Sequence, residues 1–178
     1  MGALTLPNTP DRRRAVYVRP PRPDDEKTFL AAVRASKPLH GAWVTPPATP
    51  ARYRDYLARM ALPNNQAFLA LHRDTEGLVG VMNITNMVMG GFRSAFLGYY
   101  AFADHAGQGL MQAGMRLMLR QAFTRLKLHR LEANIQPDNA PSIALVKACG
   151  FRLEGYSPRY LKINGRWRDH ERWAIVAD

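Results

Sequence analysis

Residues 99–111, Tyr99-Tyr100-Ala101-Phe102-Ala103-Asp104-His105-Ala106-Gly107-Gln108-Gly109-Leu110-Met111, run from a β-prone segment through a glycine-bearing loop into an amphipathic segment. Upstream, Ser94 to Phe102 reads as a strand. Downstream, Met111, Met115, Met118, Leu119, Ala122 and Leu126 recur at helical spacing as one apolar stripe, and methionines so spaced are core packing rather than a ligand set. Arg130 to Ile135 is the next strand, so the unit predicts a parallel pair joined by a helical crossover. Gly107 and Gly109 let the backbone turn tightly and aim several amides at one point before the helix, a pocket for phosphate or pyrophosphate. Taken alone, the loop is also readable as a turn with no ligand. A nucleoside-triphosphate loop would need Gly-Lys-Ser/Thr, and a dinucleotide fingerprint would need three glycines and a later acidic residue.

Working outward, Ala15 to Val18 is a short β-prone run closed by Pro20, Pro21 and Pro23. Asp24 can cap a helix bearing Phe29, Leu30 and Val33, which Pro38 bounds. A second helix opens at Thr49-Pro50, shows Tyr53, Tyr56, Leu57 and Met60 at helical spacing, and stops at Pro63-Asn64-Asn65. Gln66 to His72 and Leu78 to Ile84 read as strands, completing a meander with Ser94 to Phe102. Beyond Ile135, a helix opens at Asn139 and closes at Gly150, and two strands joined by Asn164-Gly165 follow. The order βααβββαβαββ predicts a mixed α/β fold, with residues 1–14 a flexible basic arm and 15–178 a single domain.

The chain has 178 residues, 47% of them hydrophobic, enough to bury a core without disulfides or metals, which excludes disorder for the bulk. The lone Cys149 excludes an intramolecular disulfide framework and a cysteine-based zinc site, and no metal is called for. No run of about 18 apolar residues exists to span a membrane, no signal-peptide pattern is present, and the expected address is the cytoplasm. The start, Met1-Gly2-Ala3-Leu4-Thr5-Leu6, lacks the Ser or Thr that a myristoylation signal wants at Leu6. Lys and Arg total 25 against 14 Asp and Glu, a net charge of +11, and 20 of those cations are arginine, suited to bidentate contact with phosphate or carboxylate. Either an anionic ligand or ribonucleoprotein neighbour, or a merely solvated basic surface, accounts for that excess.

The glycine loop together with Asn134-Ile135-Gln136-Pro137-Asp138-Asn139-Ala140-Pro141-Ser142 and Cys149-Gly150-Phe151 resembles the GNAT superfamily of acetyl-CoA-dependent N-acetyltransferases. It is most similar to the RimJ/RimL branch, through Gly109-Leu110-Met111, Leu128-His129-Arg130-Leu131-Glu132-Ala133-Asn134, Tyr160-Leu161 and Asn164-Gly165-Arg166-Trp167-Arg168-Asp169-His170. The resemblance implies a GNAT fold: a central, mostly antiparallel twisted sheet with one parallel pair around the glycine-loop helix, and helices on both faces. It also implies acetyl-CoA as cofactor, with pyrophosphate on Gly107, Gln108, Gly109, Leu110 and Met111, the slot lined by Tyr100, Ala101 and Phe102, and Asn139 and Ser142 on the pantetheine arm. The acceptor implied is a protein N-terminal α-amine of the ribosomal-protein-alanine type, near the ribosome or RNA, and a homodimer is left open. Two departures stand out: Ala106 and Met111 replace the usual loop ends, and Val146 occupies the position where many members carry a general-acid tyrosine.

Acetyl transfer from a thioester needs a neutral amine, a proton acceptor, oxyanion stabilisation and departure of a thiolate. A thiol of reference pKa about 8.5 leaves near neutrality with only a hydrogen-bond donor to help. Ser142 is placed to be that donor, or else bonds backbone at the helix terminus. Strand alternation puts Arg130, Glu132 and Asn134 on one face, making Glu132 the first candidate base or, alternatively, an arginine's ion-pair partner. His170 is the second candidate base, or a hydrogen-bonded strand histidine. Trp43, Asn134, Trp167 and Asp169 are expected to border the acceptor, although Trp43 also reads as an aromatic packed under a loop. Cys149 ends a helix, where the dipole disfavours a thiolate, so transfer is expected to be direct, in a ternary complex. Other readings are a small-molecule amine or lysine acetyltransferase and, from another class, an acyl-CoA-sensing or RNA-associated module without turnover. A polycationic amine would ask for an acidic pocket that this chain has few carboxylates to build.

Overall fold

The computed structural model describes residues 15–41 and 43–177, so the expected N-terminal arm lies outside the described residues. Seven strands form one sheet in the order β1-β2-β3-β4-β5-β7-β6, where β1 is Val16–Arg19, β2 Gln66–His72, β3 Leu78–Val88, β4 Ser94–Ala101, β5 Arg130–Ile135, β6 Arg152–Ile163 and β7 Arg166–Val176. Every neighbouring pair is antiparallel except β4 with β5. The parallel pair is joined by α4, Leu110–Thr124, as the strand, loop, helix, strand pattern requires. The remaining helices are α1 (Glu26–Ala35), α2 (Lys37–His40), α3 (Pro50–Met60) and α5 (Ala140–Ala148). None of the described helices is long and apolar enough to cross a membrane.

Strand alternation divides the core. On one face, Phe68, Ala70, Val79, Met82, Ala95 and Leu97 pack under the α4 stripe of Met111, Met115, Met118, Leu119 and Ala122. On the other, Ala67, Leu69, Leu71, Val81 and Tyr100 meet Phe29, Leu30 and Val33 of α1 and Tyr53, Tyr56 and Met60 of α3. Gly114 lets α4 sit close on β2, since a Cβ there would lie 2.8 Å from that of Ala70.

Several element boundaries depart from the sequence reading. Asp24 does not cap α1; it lies in a 3-10 turn, Pro23–Asp25, and the Asp25 carboxylate binds Arg19 Nη2 at 2.6 Å and the Arg22 amide at 2.7 Å. Pro38 does not end a helix but occupies the first turn of α2, where its missing N–H removes no intrahelical bond. The β3 strand continues past Ile84 to Val88 through an irregular register, with Asn86 at φ +55°. The α4 helix ends at Thr124, yet Leu126 still packs on the same core. Thr49 caps α3 as expected, its hydroxyl accepting from the Arg52 amide at 3.3 Å.

Candidate active site

The β4 and β5 strands pair through only three residues each, Ser94, Ala95 and Phe96 against Arg130, Leu131 and Glu132. Beyond that point β4 stays on β3 as far as Gly80–Ala101, while β5 stays on β7 as far as Ile135–Glu171. The two halves of the sheet therefore part, and a cavity of about 600 Å³ opens in the wedge. Leu97 to Ala101 wall one side, and Asn134, Ile135 and Gln136 wall the other. Because the wedge passes through the sheet, the cavity reaches both faces.

On the α4 face the floor is the glycine loop. Gly107 and Gly109 adopt φ of +73° and +75°, and a Cβ on Gly107 would meet nothing within 4 Å. The first amides of α4 have no intrahelical acceptor and carry the positive end of the helix dipole, a geometry that suits an anion. Glycine is also required at position 80 of β3, where a Cβ would lie 2.5 Å from Met111 Sδ and 2.7 Å from the Tyr100 carbonyl oxygen. Of the five predicted pyrophosphate residues, Gly107, Gly109 and Met111 line the cavity. Gln108 is exposed and donates its Nε2–H to the Asp104 carbonyl at 3.1 Å. The Leu110 side chain is buried in the core, so it offers the cavity only its main chain. Tyr100 and Ala101 are lining residues, whereas Phe102 is buried between α1 and the sheet.

The α5 helix forms the rest of this half. Asn139 caps it, its Oδ1 accepting from the Ser142 amide at 3.3 Å, which leaves the Asn139 amide hydrogens as donors. Gln112 and Arg116 of α4 donate to the Ala148 carbonyl at 3.2 and 2.9 Å, joining the two helices along the wall. Ser142 lines the cavity, with its hydroxyl 2.5 Å from the phenol oxygen of Tyr99. Burial pushes the Tyr99 phenol above its ordinary range, so it keeps its proton. Val146 is fully buried and presents no polar group. Cys149 is half-buried and absent from the wall, and burial pushes its thiol up to about 11.

The opposite half holds Leu39, His40, Trp43, Val44, Tyr100, Asn134, Leu161, Ile163 and His170. The α2 helix is docked over the end of β4 by His40, whose Nε2–H donates to the Ala101 carbonyl at 2.9 Å, and by Ser36, whose hydroxyl accepts from the Ala103 amide at 2.8 Å. Burial holds the His40 imidazole below its ordinary pKa. His170 is almost fully buried, and its Nδ1–H donates to the Arg168 carbonyl at 3.0 Å, which makes Nε2 the basic nitrogen. Thr45 donates to Asn164 Oδ1 at 2.9 Å, tying the stretch after Trp43 to the β6–β7 hairpin. Asn134 Oδ1 and the Tyr100 hydroxyl, buried polar atoms of two lining residues, have no hydrogen-bond partner in the protein.

The other three predicted residues stand apart from this wall. Glu132 shares the face of Asn134 but is ion-paired with Arg130 at 2.9 Å, and the same guanidinium also binds Glu154. Trp167 is 60% exposed on the hairpin. Asp169 clamps the irregularity in β6, accepting from the Tyr156 hydroxyl at 2.5 Å and from the Arg159 amide at 2.7 Å, and thereby shapes the hairpin. Tyr99 and His40 are among the lining residues that escaped the sequence reading. Alternation along β4 carried a signal for the first, because Tyr99 shares the α4 face with Leu97 and Ala101 and not with Tyr100 and Phe102.

A cradle of helix-terminal amides, an uncharged slot and donors at Asn139 and Ser142 fit the elongated, phosphate-ended acetyl-CoA that the resemblance implies. Residues 15–152 match the family described as an acetyltransferase (GNAT) domain. The chain is 34% identical over 125 residues to the Probable N-acetyltransferase YjcK of Bacillus subtilis, covering 70% of this chain and 69% of that protein. It is 38% identical over 103 residues to the [Ribosomal protein uS5]-alanine N-acetyltransferase of Escherichia coli, covering 58% of this chain and about half of the relative, 53%. The structure of Mycobacterium smegmatis RimJ in complex with CoA-disulfide superposes with a TM-score of 0.84 at 29% identity, over 91% of this chain and 82% of that chain. With the parted strands and the loop cradle, these matches make the chain a member of the GNAT acetyltransferase family, an acyltransferase that draws on acetyl-CoA.

Proposed function

We propose that the protein transfers acetyl to the α-amine of a protein N-terminus, of the ribosomal-protein-alanine type, directly within a ternary complex. The observation that carries this reading is the acceptor half of the cavity: its described walls contain no Asp, Glu, Lys or Arg, and Asn134 Oδ1 there awaits a donor. A polyamine or lysine chain brings a cation of reference pKa about 10.4, which an uncharged pocket neither attracts nor deprotonates readily, whereas an α-amine at about 7.7–8.0 already has roughly a fifth to a third of its population neutral near physiological pH. A small first residue fits among Leu39, Trp43, Val44, Leu161 and Ile163, and its N–H groups can satisfy Asn134. The similarity to the Escherichia coli enzyme named for the uS5 alanine supports the same acceptor class.

Acetyl-CoA supplies an activated acyl group and a thiolate that leaves. The glycine-loop amides and Asn139 hold the donor, and the apolar walls exclude water from it. In this reading His170 Nε2 accepts the amine proton, directly or through a water, and its Nδ1 bond to the Arg168 carbonyl holds the ring in the necessary tautomer. Ser142 donates to the departing sulfur, while Glu132 is assigned to the Arg130 ion pair. Acetyl-CoA, the protein and peptides beginning with Ala, Ser or Met are incubated and released thiol is measured, with spermidine and free amino acids in parallel. Thiol release with the peptides is expected; release with spermidine or free amino acids alone would overturn the reading.

A further inference from the structure

We propose that Tyr99 is a positioning residue for acetyl transfer: its phenol holds the Ser142 hydroxyl so that the serine O–H is directed at the departing sulfur. Many superfamily members bring a phenol to this chemistry from the helix that α5 represents, but here that position is Val146, sealed in the core. A phenol still reaches the slot, from the other wall. Tyr99 projects from β4 on the α4 face of the wedge, and its oxygen lies 2.5 Å from Ser142 Oγ and 3.1 Å from the Ser142 carbonyl oxygen. Both residues line the cavity.

The two distances define two hydrogen-bond arrangements. When the phenol donates to the Ser142 carbonyl, the serine hydroxyl donates back to the phenol oxygen and has nothing left for a ligand. When the phenol turns its hydrogen to Ser142 Oγ, the serine hydrogen is released toward the slot. The second arrangement suits a leaving thiolate, because an Oγ that accepts a hydrogen bond is a more polarised donor. Burial keeps the phenol protonated, so Tyr99 donates throughout the neutral range and does not become a phenolate. In the transfer itself the C–N bond forms, the C–S bond breaks and the electron pair leaves on sulfur. The amine surrenders one proton to its base, the thiolate gains one from solvent, and Tyr99 and Ser142 each end with the hydrogen they began with. The inference rests on the assignment of Ser142 as the donor to sulfur, but not on the identity of the acceptor.

The test is a double-mutant cycle of Tyr99→Phe and Ser142→Ala, run with whichever amine supports thiol release. The Phe variant keeps the ring that walls the slot, and thermal melting verifies its fold. Losing one neutral hydrogen bond is expected to lower kcat in Y99F about three- to tenfold, with KM for acetyl-CoA within about twofold. S142A is expected to lose more, and the double variant to match S142A. An oxygen-ester analogue of the donor, whose poorer leaving group leans harder on the hydrogen bond, is expected to enlarge the Y99F penalty. An unchanged kcat in Y99F beside an impaired S142A overturns the role of Tyr99 alone, as do penalties that multiply in the double variant. An unchanged S142A overturns the assignment of Ser142 and this inference with it, while failure of the peptide acceptors leaves the cycle measurable on another amine.

Discussion

Single residues here are tuned mainly by burial. Cys149, at the C-terminus of α5, has a thiol pushed up to about 11 by its surroundings and only partly offset by Arg116, so it is a poor nucleophile at neutral pH. Cys149→Ala is expected to retain near-full kcat, and iodoacetamide at neutral pH is expected to alkylate the native protein far more slowly than the unfolded chain, as mass spectrometry would show. His40 carries a pH dependence of known sign. Burial, opposed by its bond to Ala101, holds the folded pKa below the unfolded value of about 6.5. Above that value the ring is neutral in both states and its stabilisation is complete; as pH falls, the unfolded chain binds the proton first and stability is lost through the folded pKa. Melting temperature is therefore expected to drop between about pH 7 and pH 5, and His40→Gln to flatten part of that drop. An equal slope in wild type and variant would count against it.

At the level of elements, the site is made by a loop in left-handed conformation and by two strands that stop pairing. Gly109, at φ +75°, is the N-cap of α4, in the loop proposed to cradle the CoA pyrophosphate. Gly109→Ala places a Cβ in the left-handed region at a cost of roughly 1–2 kcal/mol. The expected outcome is a lower melting temperature together with a several-fold higher KM for acetyl-CoA. If KM for the acceptor rises and that for acetyl-CoA does not, the loop is not the cradle. These features differ in how far the sequence exposes them. The glycines, the Asn139 cap and the α4 stripe are local patterns, and each is readable because its residues are neighbours along one element. For Glu132 the sequence left two roles open, base or an arginine's ion-pair partner, and the structure shows the ion pair: the guanidinium of Arg130 that holds it is itself fixed by Glu154, which β6 delivers through its pairing with β7.

For the whole molecule, the charge of +11 is not spent in the cavity, whose described walls contain no Lys or Arg. The cations therefore stand elsewhere, several of them exposed on the β6–β7 hairpin at Arg159, Lys162, Arg166 and Arg168, near Leu161 and Ile163 of the cavity lining. An acceptor on the ribosome would place that hairpin near RNA. Co-sedimentation with ribosomes is expected at low salt and to weaken steeply as salt rises, since each phosphate contact releases counterions. Pelleting that is the same without ribosomes would leave the excess charge as solvated surface.

What the sequence by itself determined is the fold class, because it rests on periodicity and turn chemistry that lie within a few residues of one another, and, through the resemblance of its motifs to one family, acetyl-CoA as cofactor. The half of the cavity opposite the glycine loop was assembled only in three dimensions. His40 from α2, Tyr100 from β4, Asn134 from β5 and His170 from β7 become neighbours there because one sheet parts between β4 and β5. No local pattern encodes which polar atoms end up buried there without partners, since hydrogen-bond satisfaction is a property of the packed whole.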